Sequence, residues 1–313
     1  MRAVTIEDGG LAVREHADPA PSGGELLVRV RAAGINGADL WQVRGQYPAP
    51  AGSAPDIPGL EVAGEVMAAG PRVTRFRPGD RVMALVGGGG QAELAVVHER
   101  VAMPVPDGVA WAAAGGFPEV FTTAHDALFT QCGLGLGDRV LVHGAAGGVG
   151  TAAVQLAAAA GARVVASVRN PDHHKAVAFL GADQVVLPDA VEATGPFDII
   201  LELVGAPNFP TSLELLATGG RIMVIGTGAG SAVELDLRLL LVRRARLLAS
   251  TLRSRPLEQK AEAARRIEAQ VLPGLASGRL RVPIAATYPL EAAQTAYDHF
   301  AARGKLGKIV LEP

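Results

Sequence analysis

The chain has 313 residues, with 29 basic against 31 acidic side chains, seven histidines and one cysteine. This length supports two domains with separate cores, and the near-neutral balance leaves no basic footprint for nucleic acid. Cys132 alone excludes an internal disulfide and any multi-cysteine zinc site, and no apolar run reaches the ~20 residues of a membrane span.

The chain opens directly into a strand-like alternation with no signal peptide, so a cytoplasmic protein is expected. Residues 1–116 carry many short strands, among them 26–30, 61–66, 80–85 and 92–97, punctuated by Gly, Pro and Asp. That pattern predicts an irregular all-β barrel. The proline-rich stretch 45–59, which contains Tyr47, suits neither a helix nor a central strand. It predicts a stiff surface loop, a kind of segment that often carries function. From residue 117 the pattern alternates between strand and helix. Strands are predicted near 139–143, 163–168, 184–187, 198–203 and 221–225, with a sixth at 246–252. The link 183–197 is short, so its helix is trimmed to a loop. Such alternation argues for a parallel sheet covered on both faces. A helix over 257–272 follows, with Ala261, Ala264, Ile267 and Val271 at helical spacing. A helix near 290–303 and a strand at 308–311 end the chain, and the strand is expected to rejoin the first domain. The domains are therefore 1–116 with 253–313, and 117–252.

The most informative stretch is the turn after 139–143. Gly144-Ala-Ala-Gly-Gly-Val-Gly150 stands between an apolar run and an amphipathic helix, and a second strand follows. This is the context that a dinucleotide motif requires. Gly144, Gly147 and Gly150 permit a tight turn and close approach of a pyrophosphate. Together with Ala145, Ala146, Gly148 and Val149 they present backbone N–H groups at the positive end of a helix dipole. A site for NAD places Asp or Glu roughly 20 residues further on, at the end of the second strand. Here Ala166-Ser-Val-Arg-Asn170 stands instead, with Arg169 19 residues after Gly150. A guanidinium there suits a 2′-phosphate, with Ser167 and Asn170 as further donors. NADPH is the expected cofactor, although Asp172 nearby favours NADH weakly. The histidines are scattered or, like His173 and His174, adjacent and divergent on a helix, so no metal site is expected.

These residues resemble the zinc-free quinone oxidoreductases of the medium-chain dehydrogenase/reductase superfamily, closest to the p53-inducible type, over nearly the whole chain. The matching motifs include Ala33-Gly-Ile-Asn-Gly-Ala-Asp-Leu40, Arg44-Gly-Gln-Tyr-Pro48, Pro58-Gly-Leu-Glu-Val-Ala-Gly64, Leu252-Arg-Ser-Arg255 and Gly307-Lys-Ile-Val-Leu311. The resemblance implies an α/β protein. A GroES-like β-barrel catalytic domain would join a Rossmann doubly wound parallel-sheet domain, with NADPH in the cleft between them. It implies that Asn36 and Tyr47 line the nicotinamide end, with Thr122 and Thr123 near it. Gly226 would let backbone lie against the cofactor, and Ser250, Thr251, Leu252 and Lys308 would close over it. Zinc-dependent relatives carry metal ligands where this chain has Asn36, Leu60 and the Pro118-Glu119 region, which implies zinc independence. Arg169-Asn170 and His173 depart from the family's usual Gly-Ser pair and lysine around the 2′-phosphate.

The chemistry expected without metal is hydride transfer to a polarised conjugated acceptor, the protein supplying orientation and a donor to the oxygen that gains charge. Tyr47 and Asn36 are the catalytic candidates: Tyr47 as donor or positioning group, Asn36 as the group that orients a carboxamide or substrate. No acid stands out for protonating an α-carbon. That favours a quinone, an ortho-quinone first, over the rival reading of an NADPH-dependent enoyl or alkenal reductase. A non-catalytic crystallin-like or RNA-binding protein is a third reading. The apolar edge strand 246–252 predicts a homodimer.

Overall fold

A computed structural model describes residues 1–302 and 304–313. The chain divides into two compact units, Met1–Thr122 with Leu252–Pro313, and Thr123–Thr251. Residues 117–122 and Leu252, given to the nucleotide-binding domain from sequence, belong to the first unit.

The first unit begins with a hairpin of β1 (Arg2–Glu7) and β2 (Gly10–Glu15). Then come β3 (Glu25–Gly34), β4 (Glu61–Ala69), β5 (Arg81–Leu85), β6 (Leu94–His98) and β7 (Ala102–Pro104). Strict alternation defines β3: Leu26, Val28 and Val30 are buried while Arg29 and Arg31 face out. The buried set packs with Val62, Val66 and Val82 into one core. Helix Gly37–Val43 leads from the end of β3 into the proline-rich loop.

The second unit is a parallel sheet of β8 (Arg139–His143), β9 (Arg163–Ser167), β10 (Gln184–Val186), β11 (Phe197–Glu202), β12 (Leu216–Val224) and β13 (Arg246–Ala249). Its order is β10-β9-β8-β11-β12-β13, so strand succession reverses between β8 and β11. Ligands of open α/β sheets bind at the carboxyl ends of strands beside such a switch point. Leu141, Val165, Ile200 and Ile222 form its core with Phe197. The link before β11 contains a 3-10 segment, Pro188–Thr194. The sixth strand stops at Ala249, short of the expected 252. Ser250 leaves the ladder, its hydroxyl donating to Asp126 Oδ2 at 2.9 Å.

The chain then re-enters the first unit through helix Leu257–Gln270, a short helix Leu272–Ala276, β14 (Ile284–Pro289), helix Ala293–Ala301 and β15 (Lys308–Glu312). The predicted helix over 290–303 is a single turn, Leu290–Ala292, followed by Ala293–Ala301; Arg303 lies outside the described residues. Strand β15 pairs antiparallel with β3 and parallel with β14, giving the order β14-β15-β3-β4-β5-β7 with β6 on β3. The end of β3, the start of β4 and the start of β15 thereby converge. No helix among the described residues is long and apolar enough to cross a membrane.

Candidate active site and nucleotide-binding turn

At that convergence the first unit buries charge. Lys308 Nζ lies 2.6 Å from Glu61 Oε1 and donates to Asn36 Oδ1 at 2.6 Å and to the Ile35 carbonyl at 2.7 Å. Three acceptors use all the donors of an ammonium. Asn36 Nδ2 donates to Glu61 Oε1 at 2.9 Å, and the Glu119 N–H donates to Glu61 Oε2 at 2.8 Å. Lys308 and Glu61 are 2% and 0% exposed. Such a pair holds only when its remaining lone pairs are also satisfied, as they are here. Gly34 makes room for it, since a Cβ there would stand 2.2 Å from Glu61 Oε1. Asp39, also buried, accepts from Asn36 N at 2.8 Å and Gly59 N at 3.1 Å. It caps its helix and ties the helix to the proline-rich loop. Burial raises its carboxyl to about 6 despite those two donors.

This geometry bears on two of the residues expected beside the cofactor. The Asn36 amide has both its oxygen and its nitrogen committed inside the protein, and Lys308 has no donor left for a ligand. As the chain stands, both brace the convergence of β3, β4 and β15. The oxygens that would suit a cation already surround an ammonium. Among the described residues no group of three His, Cys, Asp or Glu gathers as for a metal.

Tyr47 is half-buried in the loop that follows the helix. Arg253 fixes it. The guanidinium donates to the Tyr47 carbonyl at 2.8 Å, to Gln42 Oε1 at 2.6 Å and to the Gly87 carbonyl at 2.8 Å. It also lies 5.0 Å from the Tyr47 ring centroid, within cation–π range. The phenol oxygen has no hydrogen-bond partner among the described residues. Burial raises its pKa, Glu119 adds to the rise and Arg253 opposes it. Sequence reasoning missed Arg253 as a functional residue. Its partner is 206 positions away, so no local spacing reveals the contact, and only its place in the Leu252–Arg255 motif hinted at it. Thr122 is buried with its hydroxyl unpartnered, and Leu252 is buried within the same unit.

In the second unit Gly144 takes φ +70°, and its carbonyl accepts from Gly147 N at 3.0 Å. Ala145 N donates to the Ser167 carbonyl at 3.2 Å, tying the turn to the end of β9. A Cβ on Gly150 would stand 2.5 Å from the Gly144 carbonyl oxygen, so the third glycine is needed for helix–turn packing. Gly148, Val149 and Gly150 form the first turn of helix Gly148–Ala159, which follows Gly147. N–H groups of a first turn have no partner inside the helix, so those of Gly148, Val149 and Gly150 form a cradle that fits a pyrophosphate, beside the Gly147 N–H already bonded to Gly144. Arg169 is exposed just beyond β9, with no ion-pair partner among the described residues. Ser167 is buried, and Asn170 caps the turn Pro171–His173 by accepting from Asp172 N at 3.1 Å. Gly226 owes its lack of side chain to the Leu203 backbone, whose oxygen a Cβ would meet at 2.2 Å. Thr123, buried, and Thr251 lie at the two ends of this unit. A second missed feature is Glu202 at the end of β11. Its Oε1 accepts from Val204 N at 2.6 Å and Gly205 N at 2.8 Å, while Oε2 stands 4.0 Å from His143 Nε2. Burial raises the carboxyl and lowers His143 to about 4. His143 is a packed residue bonded to Ser212 Oγ at 3.0 Å.

Residues 22–107 match the family described as alcohol dehydrogenase GroES-like domain, and residues 148–269 match that described as zinc-binding dehydrogenase. The chain is 32% identical to the quinone oxidoreductase of Rattus norvegicus, over 99% of this chain and 97% of the relative. The chain belongs to the quinone oxidoreductase family of the medium-chain dehydrogenases/reductases. Acryloyl-coenzyme A reductase of Metallosphaera sedula is 31% identical over 99% of both chains. A mycobacterial structure complexed with NADPH superposes with a TM-score of 0.88 at 29% identity, covering 100% of both chains. As a medium-chain dehydrogenase/reductase the protein is an oxidoreductase with a nicotinamide cofactor. Its first unit carries the GroES-like domain, and its second the Rossmann-type sheet whose turn suits that cofactor.

Proposed function

We propose that this protein is a zinc-independent, cytoplasmic NADPH-dependent reductase whose acceptor is a quinone, an ortho-quinone first. The observation that carries the reading is the clamped Tyr47 phenol with no internal partner, while Asp39 and Glu61 in the same unit are already engaged. Asp39 and Glu61 both accept backbone and side-chain donors. One free O–H can serve a carbonyl oxygen that gains charge, whereas an enone needs a proton delivered to carbon as well. Bound NADPH would supply the hydride. Tyr47 Oη would hold the proton that meets the acceptor's oxygen, its raised pKa keeping it protonated at neutral pH. Arg253 would keep the ring from turning away, and the Lys308–Glu61–Asn36 cluster would fix the root of the loop. Arg169 at the end of β9 would hold the 2′-phosphate, and Gly144 to Gly150 the pyrophosphate. The rat relative's name supports the quinone, and the mycobacterial complex supports NADPH. The similarity to acryloyl-coenzyme A reductase favours a second reading, a reductase of conjugated carbon–carbon double bonds.

A direct comparison separates the two. Chelator-dialysed protein is assayed for NADPH oxidation with 9,10-phenanthrenequinone and with 1-octen-3-one. The quinone should be the better substrate, with activity unchanged by the chelator. Preference for the enone would establish the second reading, and activity lost to the chelator and restored by zinc would overturn zinc independence.

A further inference from the structure

The end of β11 holds a carboxylate that the proposed chemistry does not use. Glu202 is fully buried, and its two oxygens are treated unequally. Oε1 accepts from Val204 N at 2.6 Å, from Gly205 N at 2.8 Å and from Asn208 Nδ2 at 3.3 Å. Oε2 has no hydrogen-bond partner, and His143 Nε2, 4.0 Å away, is bonded to Ser212 Oγ. An apolar side chain would fill this space without burying an idle oxygen. What only an acceptor can do here is gather the N–H groups of residues 204 and 205, and so set the turn that follows β11.

That turn backs the loops on both sides of it. A Cβ on Gly144 would stand 3.2 Å from Val204 Cγ2 and 3.5 Å from Leu203 Cβ, so the glycine turn after β8 lies against it. Gly144 in its turn sets the helix start, because its carbonyl accepts from Gly147 N and abuts Gly150. On the other side the Leu203 backbone occupies the place of a side chain at Gly226. The Val204 carbonyl accepts from Ala229 N at 2.9 Å, and the Glu202 carbonyl accepts from Ile225 N and Gly226 N, each at 3.0 Å. The loops after β8 and β12 thus both take their position from residues 203–205, beside the reversal in strand order.

We propose that Glu202 is a positioning residue for the nucleotide, its Oε1 fixing the turn 203–205 against which the Gly144 and Gly226 loops lie. This deepens the proposed function and rests on the reading of the helix start at Gly148 to Gly150 as the pyrophosphate cradle. The carboxylate acts from behind that cradle, through backbone, and touches no ligand. It reads neither a 2′-phosphate nor an acceptor, so its effect falls on NADPH and NADH alike.

The test compares Glu202→Gln with Glu202→Met in the full chain. Both side chains match the length of glutamate, and only glutamine keeps an oxygen for the N–H groups of Val204 and Gly205. NADPH and NADH are titrated by fluorescence into each folded, nucleotide-free protein, and amide hydrogen exchange is followed in the same samples. Glu202→Met should weaken both nucleotides about tenfold and speed exchange in the loops after β8, β11 and β12, while Glu202→Gln stays within about twofold of the parent. A role in packing alone would spare the affinity of the folded methionine variant. Parent-like affinity in Glu202→Met, a loss confined to NADPH, or a loss in Glu202→Gln as large as in Glu202→Met would each overturn the proposal and leave the cradle standing. Should Glu202→Met fail to fold, the parent decides: the amides of Val204 and Gly205 should be protected without nucleotide, and fast exchange there would overturn the proposal. A parent that binds neither nucleotide would overturn the cradle itself, and the proposal with it.

Discussion

A phenol assists a reduction when it is held still and its hydroxyl is left unoccupied. Tyr47 meets both conditions, because Arg253 grips its carbonyl and its ring but not its oxygen. Replacing it by phenylalanine keeps the ring in the Arg253 contact and removes only the donor. Tyr47→Phe should therefore lower kcat/KM for an ortho-quinone about tenfold, ~1.4 kcal/mol, while NADPH affinity stays unchanged. Steady-state kinetics showing no loss would remove Tyr47 from the chemistry. Arg169 would work by charge instead. It has no internal partner to give up, so a 2′-phosphate would gain its full charge-assisted bond. Arg169→Ala should weaken NADPH by ~1.5–3 kcal/mol and leave NADH nearly as it was. Equal losses for both nucleotides in fluorescence titration would show that Arg169 does not read the phosphate.

Between elements, the strongest constraint is the ion pair that joins β15 to β4. Removing one partner of a buried pair strands the other charge. Lys308→Met should cost about 3–5 kcal/mol in urea unfolding, and Glu61→Gln added to it should recover most of the loss. A single variant that loses less than ~1 kcal/mol would show that the pair is not held as described. Asp39 behaves in the opposite sense, because its folded value of about 6 exceeds the ordinary 3.8. The folded state therefore binds the extra proton. Its contribution to stability is full below about 3.8 and is lost as pH rises through about 6. Asp39→Asn should gain about 3 kcal/mol relative to the parent between pH 4 and pH 7, and a parallel pH dependence of the two proteins would contradict it. These elements also show where sequence reading reaches and where it stops. The glycine turn after β8 is legible as a turn because its glycines are demanded locally, by a positive φ at Gly144 and a carbonyl against Gly150. The grip of Arg253 on Tyr47 and of Lys308 on Asn36 spans 206 and 272 residues, and nothing in either neighbourhood announces it. For the same reason the sequence around Asn36 does not reveal that its amide bonds Lys308 and Glu61. Strand β13 was drawn too long because the partner that draws Ser250 away, Asp126, lies 124 positions earlier.

For the whole molecule, the proposed homodimer follows from the second unit's open margin. Strand β13 ends the sheet and is paired only with β12 among the described residues. Beside it, helix Leu237–Arg243 leaves Leu237, Leu241 and Val242 at 68%, 77% and 65% exposed. An unpaired strand edge invites another edge, and an apolar patch beside it adds area that water disfavours. A second copy of the same surface answers both needs, since a two-fold axis brings identical patches together. Light scattering should therefore report about twice the 32.1 kDa chain mass. Leu247 sits on β13 itself and Leu241 on the neighbouring helix, so charging both attacks the edge and the patch without touching the buried core. Leu241→Glu with Leu247→Lys should shift the protein to the mass of one chain while its unfolding midpoint, extrapolated to low concentration, stays close to the parent's. A parent protein that already runs at one chain mass would show that this margin is not a self-pairing surface, and a double variant that remains dimeric would place the contact elsewhere.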